Sequence, residues 1–259
     1  RRKTSMPGNS CNAACHITIA SIKLTAPRPF AFSVKRLYWT QILRWPMLTW
    51  HFHFLPRSGS ILPMIQQSPS WPLFSAAERA VSLDPNEAMA RFVLGRLHIY
   101  AGEMELAFGE MQTAIAINPN LAWAQFGFGF AHYFGAGQAE QALPYYDAAL
   151  RLNPRDPSRW AALMNIGSAL RSLDRSDEAI AHCRQACQFH DSGYLPHLHL
   201  AAALAEAGKT DEALAALDKA TQLEPALSIG FVRNHFPWAH ETTMGNLSES
   251  LRKAGLPEE

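Results

Sequence analysis

The chain has 259 residues, with 23 Lys+Arg against 22 Asp+Glu, 48% hydrophobic residues and 17% charged ones. That apolar share excludes a wholly disordered polymer, and four cysteines are too few for a disulfide-dense secreted scaffold. The net charge of +1 conceals a division by position: residues 1–77 hold nine basic residues and no acidic one, whereas residues 78–259 hold 14 basic and 22 acidic residues, a net of −8.

Residues 1–72 are rich in Pro, Ser, Trp and His and show no sustained period of 2 or 3.6. The segment starts with Arg and runs its whole length without a carboxylate, so a poorly ordered stretch is expected, truncated or read out of frame. Leu37–Leu55 is apolar enough to raise a membrane span, but Arg44, Pro46, His51 and His53 interrupt it. A central arginine costs about 2.5 kcal/mol or more in such a span, and no span is expected. An organellar transit peptide would need an amphipathic helix that is not evident. A nucleic-acid-binding arm would need a denser basic patch. Cys11, Cys15 and His16, and His51 with His53, are metal-capable residues without a supporting frame.

From Pro72 the chain repeats itself. Leu83-Asp-Pro85, Ile117-Asn-Pro119, Leu152-Asn-Pro154 and Leu223-Glu-Pro225 recur at steps of 34, 35 and 71 residues, the last being two units. A period near 34 with two helices per unit points to a helical solenoid. Leu73 to Leu83 reads as a second helix lacking its first partner. In each full unit the first helix carries a large residue and then a small one: Leu94-Gly95, Phe128-Gly129, Ile166-Gly167, Leu200-Ala201. The small residue lets paired helices approach closely. After a turn the second helix places Ala, a bulky residue and Ala at offsets of four and three. These are Ala107-Met111-Ala114, Ala142-Tyr146-Ala149, Ala179-Cys183-Ala186 and Ala213-Leu217-Ala220. Those offsets put the three on one face, directed at the first helix. Asp177-Glu178 and Asp211-Glu212 open their second helices where the dipole favours negative charge.

This grammar resembles the tetratricopeptide repeat (TPR) family over residues 73–226, and Gly208-Lys-Thr-Asp-Glu-Ala-Leu214 and Asp174-Arg-Ser-Asp-Glu-Ala-Ile180 read as family-like turns. The resemblance implies an all-α, right-handed solenoid of about four and a half helix-turn-helix repeats. Departures are Arg91, Gln125, Leu163 and His197 at the family's preferred Trp position, one extra residue in the second turn, and a longer junction at 154–160. Residues 227–259 read as a capping segment. Pro237-Trp238 breaks the chain, and a helix from about Glu241 to Ala254 shows Met244, Leu247 and Leu251 on one stripe, suited to shielding the last apolar face. The ending Leu247–Glu258 is similar to TPR regions that follow bacterial class III adenylate/guanylate cyclase domains or winged-helix regulator domains. That similarity implies the detached regulatory end of a longer signalling protein.

No GxxxxGK[ST], HExxH or GxSxG motif occurs, and Gly127-Phe-Gly129 lacks the third glycine of a dinucleotide fingerprint. No catalytic constellation, and no cofactor, is expected. Cys183, Cys187 and His190, offset by four and three, with His197 and His199 following, are the candidate zinc ligands. Packing is the competing reading, because Cys183 occupies the buried bulky position of its unit.

The family's groove positions, carried onto this chain, fall on the first helices. They are Met89, Phe92, Arg96, Ile99 and Tyr100 in the first unit, then Trp123, Phe126, Phe130, Tyr133 and Phe134 in the second. Ala161, Met164, Ser168, Arg171 and Ser172 follow in the third, and Leu195, Leu198, Ala202, Ala205 and Glu206 in the fourth. The second unit is almost wholly aromatic, which marks either a binding surface or rings buried by a further helix, by curvature or by self-association. The expected site is Phe92, Arg96, Tyr100, Trp123, Phe126, Phe130, Tyr133 and Phe134, with Arg171 orienting a polar group. The groove lacks the several Lys/Arg that clamp a terminal carboxylate, so the expected partner is an apolar or helical protein segment. The acidic array is not expected to bind nucleic acid, and a cytoplasmic location is expected.

Overall fold

A computed structural model of the chain describes residues 72–236 and 239–259. Leu37–Leu55 and the cysteines and histidines of residues 11–53 lie outside the described residues. Eleven helices follow in order: α1 Pro72–Leu83, α2 Ala88–Ala101, α3 Met104–Ile117, α4 Ala122–Phe130, α5 Ala139–Leu152, α6 Arg159–Arg171, α7 Ser176–Cys187, α8 Leu195–Glu206, α9 Thr210–Leu223, α10 Ile229–His235 and α11 Glu241–Lys253. Among the described residues there is no strand, and no helix is long and apolar enough to cross a membrane.

The pairs α2/α3, α4/α5, α6/α7 and α8/α9 form the four units. Each pair is held by the seam read from the sequence. All twelve residues of the Ala–bulky–Ala pattern are buried, from Ala107, Met111 and Ala114 to Ala213, Leu217 and Ala220. The bulky member lies over the small residue of the first helix. A Cβ added at Gly129 would sit 3.0 Å from the Tyr146 ring, and one added at Gly167 would collide with Cys183 Sγ and lie 3.0 Å from Ala179 O. Glycine is therefore required by the closeness of the two helices. α1 packs against α2, with Phe74 edge-on to His98 at 5.1 Å between ring centroids.

The departures from the repeat have local explanations. At the position usually held by Trp, Arg91 Nε donates to Pro85 O (3.1 Å) and Gln125 Nε2 to Pro119 O (3.2 Å), so both cap carbonyls of the preceding turn. Arg91 Nη1 also pairs with Glu110 at 2.9 Å. The third turn has no glycine, and Asp174 takes the left-handed conformation instead, with φ 58°. In the longer junction Ser158 N donates to Asp156 Oδ1 (2.8 Å), an Asx turn that leads into α6.

The extra residue of the second unit is absorbed at the end of α4. Ala131–Gly135 form a π-helical turn, the usual way for a helix to take up one additional residue. The turn closes on Gly137, φ 70°, with Gln138 N donating to His132 O (2.8 Å) and Gly137 N to Tyr133 O (3.1 Å).

The sequence places the last helix at the end of the array. In the structure α10 follows α9, its Ser228 N-cap accepting from Phe231 N at 3.0 Å. α11 then turns back over the first helices and packs on α8 and α10. The chain end is pinned to α10, with Ile229 N donating to Pro257 O (2.8 Å) and Gly230 N to Glu258 O (2.9 Å).

Candidate interaction face

The first helices are neighbours of one another, α2 beside α4 and α6 beside α8, and together they form one face. Every residue expected at the site lies on these helices or on the π turn. Their surroundings divide the face into two parts.

The front part is aromatic. Phe126 and Phe130 stack at 6.3 Å, Phe130 and Phe134 lie 4.8 Å apart, and Phe134 meets Tyr133 edge-on at 4.7 Å. Phe92 faces Trp123 at 6.5 Å. The Arg96 guanidinium sits 4.7 Å over the Phe130 ring and 5.2 Å over Tyr100, whose hydroxyl it also contacts. Such stacking favours a cation beside an aromatic surface. Phe92, Phe126, Phe130, Tyr133 and Phe134 are each less than a tenth exposed, whereas Arg96, Tyr100 and Trp123 are half-buried. Of the two alternatives for these rings, burial describes five of them. Trp123 and Phe126 also line a shallow cleft against α6, bounded by Asn153, Asp156, Ser158 and Arg159.

The rear part is polar and is covered by α11. Arg171 is 2% exposed, and its Nη1 donates to Glu206 Oε1 (2.8 Å), Ser250 Oγ (2.7 Å) and Asn246 O (3.3 Å). Ser250 Oγ in turn contacts Glu206. Thr243 Oγ1 donates to Tyr133 O (3.0 Å) and His240 N to Phe134 O (2.6 Å). The acceptors for the start of α11 are thus the carbonyls of the π turn. One inserted residue in the second unit supplies the anchor for a helix more than a hundred residues later. Between the hydrogen bonds, Met244, Leu247 and Leu251 are buried as the predicted stripe. α11 therefore runs along the face, starting at the second unit and passing the third and fourth.

α6 is packed by α5, α7 and α8, and every residue from Trp160 to Arg171 is buried. Asn165 and Ser168 lie within this layer. Ser168 Oγ and His199 Nδ1 share a hydrogen bond of 2.5 Å, and Tyr133 Oη donates to Ser168 O (2.9 Å). Burial, aided by the nearby Arg171 charge, lowers the His199 pKa to about 3, so its imidazole is neutral. Burial likewise raises the Tyr146 phenol well above its ordinary range.

The zinc candidates do not converge. Cys183 turns inward against Gly167, His190 points to solvent beside Asp191 (3.0 Å), and His199 is engaged by Ser168. Burial pushes the thiols of Cys183 and Cys187 up to about 12, which opposes the thiolate a metal requires. Among the described residues no group of three or more His, Cys, Asp or Glu is placed to hold a metal ion.

The site residues that sequence reasoning missed are on α11: Thr243, Asn246 and Ser250. A legible signal existed, because Thr243 and Ser250 sit seven residues apart, flanking Met244 and Leu251 on the apolar side of the helix. Hydroxyls on that side imply a partly polar surface opposite.

Comparison with known families matches the tetratricopeptide repeat over residues 75–122 and 132–194. No curated protein matches. Among solved structures, Pseudomonas aeruginosa pilF superposes with a TM-score of 0.61 at 15% identity, covering 87% of this chain and 89% of that one. PilW, a widely conserved type IV pilus biogenesis factor, gives 0.61 at 16% identity over 85% and 90%. YrrB, a TPR protein with an unusual peptide-binding site, gives 0.50 at 19% identity over 70% and 91%. At these identities the likeness concerns the fold. The helical array is thus similar in fold to tetratricopeptide-repeat solenoids, and residues 75–122 and 132–194 match that repeat in sequence.

Proposed function

We propose that the array is a non-catalytic scaffold whose first-helix face takes up a segment of a protein partner. The observation that supports this most is the docked α11. The face holds an amphipathic helix by an apolar stripe and by hydrogen bonds to its own backbone carbonyls. Helix-in-groove recognition uses the same elements. The front part offers the half-buried Arg96, Tyr100 and Trp123 next to that helix, above the buried rings of Phe92, Phe126, Phe130 and Phe134. YrrB, a TPR protein with a peptide-binding site, lends the reading a structural parallel. The net charge of −8 over residues 78–259 opposes binding of nucleic acid to the array.

A photo-crosslinking residue in place of Trp123, compared with one in place of the exposed Arg184 on α7, tests this reading. A defined partner captured from position 123 and not from 184 supports it. The same captures from both positions contradict it. A second reading, the regulatory end of a cyclase or transcription regulator, draws support from the covered state of the face, since a covered face needs a signal to open it. The reading frame upstream of residue 72 in the parent gene decides that point: one encoding only repeats rejects it.

A further inference from the structure

The helix that covers the rear face has the features of a ligand. Most helices of the array pack helix against helix through apolar seams such as Ala107–Met111–Ala114 on α3. α11 also packs helix on helix, against α8 and α10, burying Met244, Leu247 and Leu251, and it adds hydrogen bonds at separate points along the face. The acceptors and donors it uses belong to three different units: the π-turn carbonyls of the second, Arg171 of the third and Glu206 of the fourth.

The match is also incomplete. Arg171 is 2% exposed, yet only its Nη1 is hydrogen-bonded, and its Nε and Nη2 have no partner among the described residues. A buried guanidinium prefers more of its donors satisfied. The layer beneath is polar as well, with Asn165, Ser168 and His199 all buried. A permanently sealed core would favour apolar side chains at these positions, whereas a surface that is sometimes open to water tolerates them.

We infer that α11 is an intramolecular competitor: it occupies the partner site of the rear face, and the external partner is an amphipathic helix of the same pattern that displaces it. The inference rests on the proposed helix-binding function of this face. The pattern is read from α11 itself. It places large apolar residues at i, i+3 and i+7 (Met244, Leu247, Leu251). Hydroxyl-bearing residues stand beside the first and last, where Thr243 meets the Tyr133 carbonyl and Ser250 meets Arg171 and Glu206. Tethering keeps the competitor at a high effective concentration, so a partner of equal intrinsic affinity binds weakly until α11 is loosened.

The test uses the full chain and a fluorescent peptide with the sequence of residues 239–258 as the probe. Leu247→Asp places a carboxylate in the buried stripe and loosens the chain's own α11. Hydrogen exchange reports whether α11 amides lose protection while those of α6 and α8 keep it. The expected result is at least tenfold tighter peptide binding by Leu247→Asp than by the unaltered chain, and no binding of a peptide carrying the same Leu247→Asp change. If α6 and α8 also lose protection, Thr243→Val with Ser250→Ala serves instead, each removed hydrogen bond being worth about fivefold. Equal affinity for the unaltered and loosened chains overturns the competitor role and leaves the helix-binding function standing. Absence of binding to a chain whose α11 has been released overturns both.

Discussion

Helices α3 and α6 come from adjoining parts of the same repeat grammar, yet their environments differ completely. α3 buries Ala107, Met111 and Ala114 and leaves Leu106 55% exposed. α6 buries everything from Trp160 to Arg171, including an asparagine, a serine and an arginine. A second helix has its neighbours on one side, so its buried stripe recurs with the helical period. The first helix of the third unit is packed by its partner α7 and by α5 and α8, and its last residue, Arg171, is hydrogen-bonded to α11. The difference teaches that burial in this solenoid is of two kinds: an apolar seam that makes the units, and a polar seam that attaches the last helix to them.

Four substitutions or titrations separate the two seams. The largest effect is expected in the apolar one. Gly167→Val forces a branched side chain against Cys183 and Ala179 O and should cost about 3 kcal/mol, seen as a lower urea midpoint with α6, α7 and α8 losing exchange protection together. Loss of α11 protection alone would show that the apolar seam is not what holds the units.

Next comes acid. The His199 imidazole is neutral in the folded chain, with a pKa of about 3, while the unfolded chain binds that proton near pH 6.5. The contribution is therefore complete above pH 6.5 and is lost progressively as the pH falls from 6.5 towards 3. Denaturant midpoints of the unaltered chain and of His199→Gln, measured across that window, should diverge as the parent loses more stability. Parallel curves would place His199 in water.

A smaller and more local effect is expected for Arg171→Met, which leaves the partly hydrated Glu206 carboxylate and Ser250 without their cation. About 2 kcal/mol should be lost, with α11 deprotected first, and adding Glu206→Gln should recover part of it. Equal protection of α11 in all three chains would remove Arg171 from the polar seam. The smallest effect is that of Thr243→Val, about 1 kcal/mol for one hydrogen bond, confined to α11 and the π turn. A change of the same size in α3 would show that the two seams are not separable.

The same division governs what could be read in advance. The Ala–bulky–Ala spacing specified all four second helices and the residues beneath them, because a one-sided helix writes its partner into its period. The fold was legible for that reason, and α11 itself was placed to within a residue of its end. Its reach back to the π turn of the second unit was not legible. Leu251 and Met244 on one stripe fit an end cap as well as a docked ligand, and only the hydroxyls of Thr243 and Ser250 distinguish the two. The groove positions implied by the resemblance join the aromatic second unit and Arg171 in one site. In the structure, Phe126, Phe130 and Phe134 cluster with Arg96, while Arg171 stands apart under α11. The extra residue near Gly135 was visible as a break in spacing, but a count of residues cannot say that the break is a π turn offering two carbonyls to a distant helix.

The account depends on α11 lying along the first-helix face of its own chain. Nuclear Overhauser contacts test this directly, since Thr243 Oγ1 is 3.0 Å from Tyr133 O and Ser250 Oγ is 2.7 Å from Arg171 Nη1. Contacts from Thr243 to Tyr133 and from Ser250 to Arg171, unchanged on dilution, are the predicted result. Their absence, with α11 amides exchanging as those of a free helix, would contradict it.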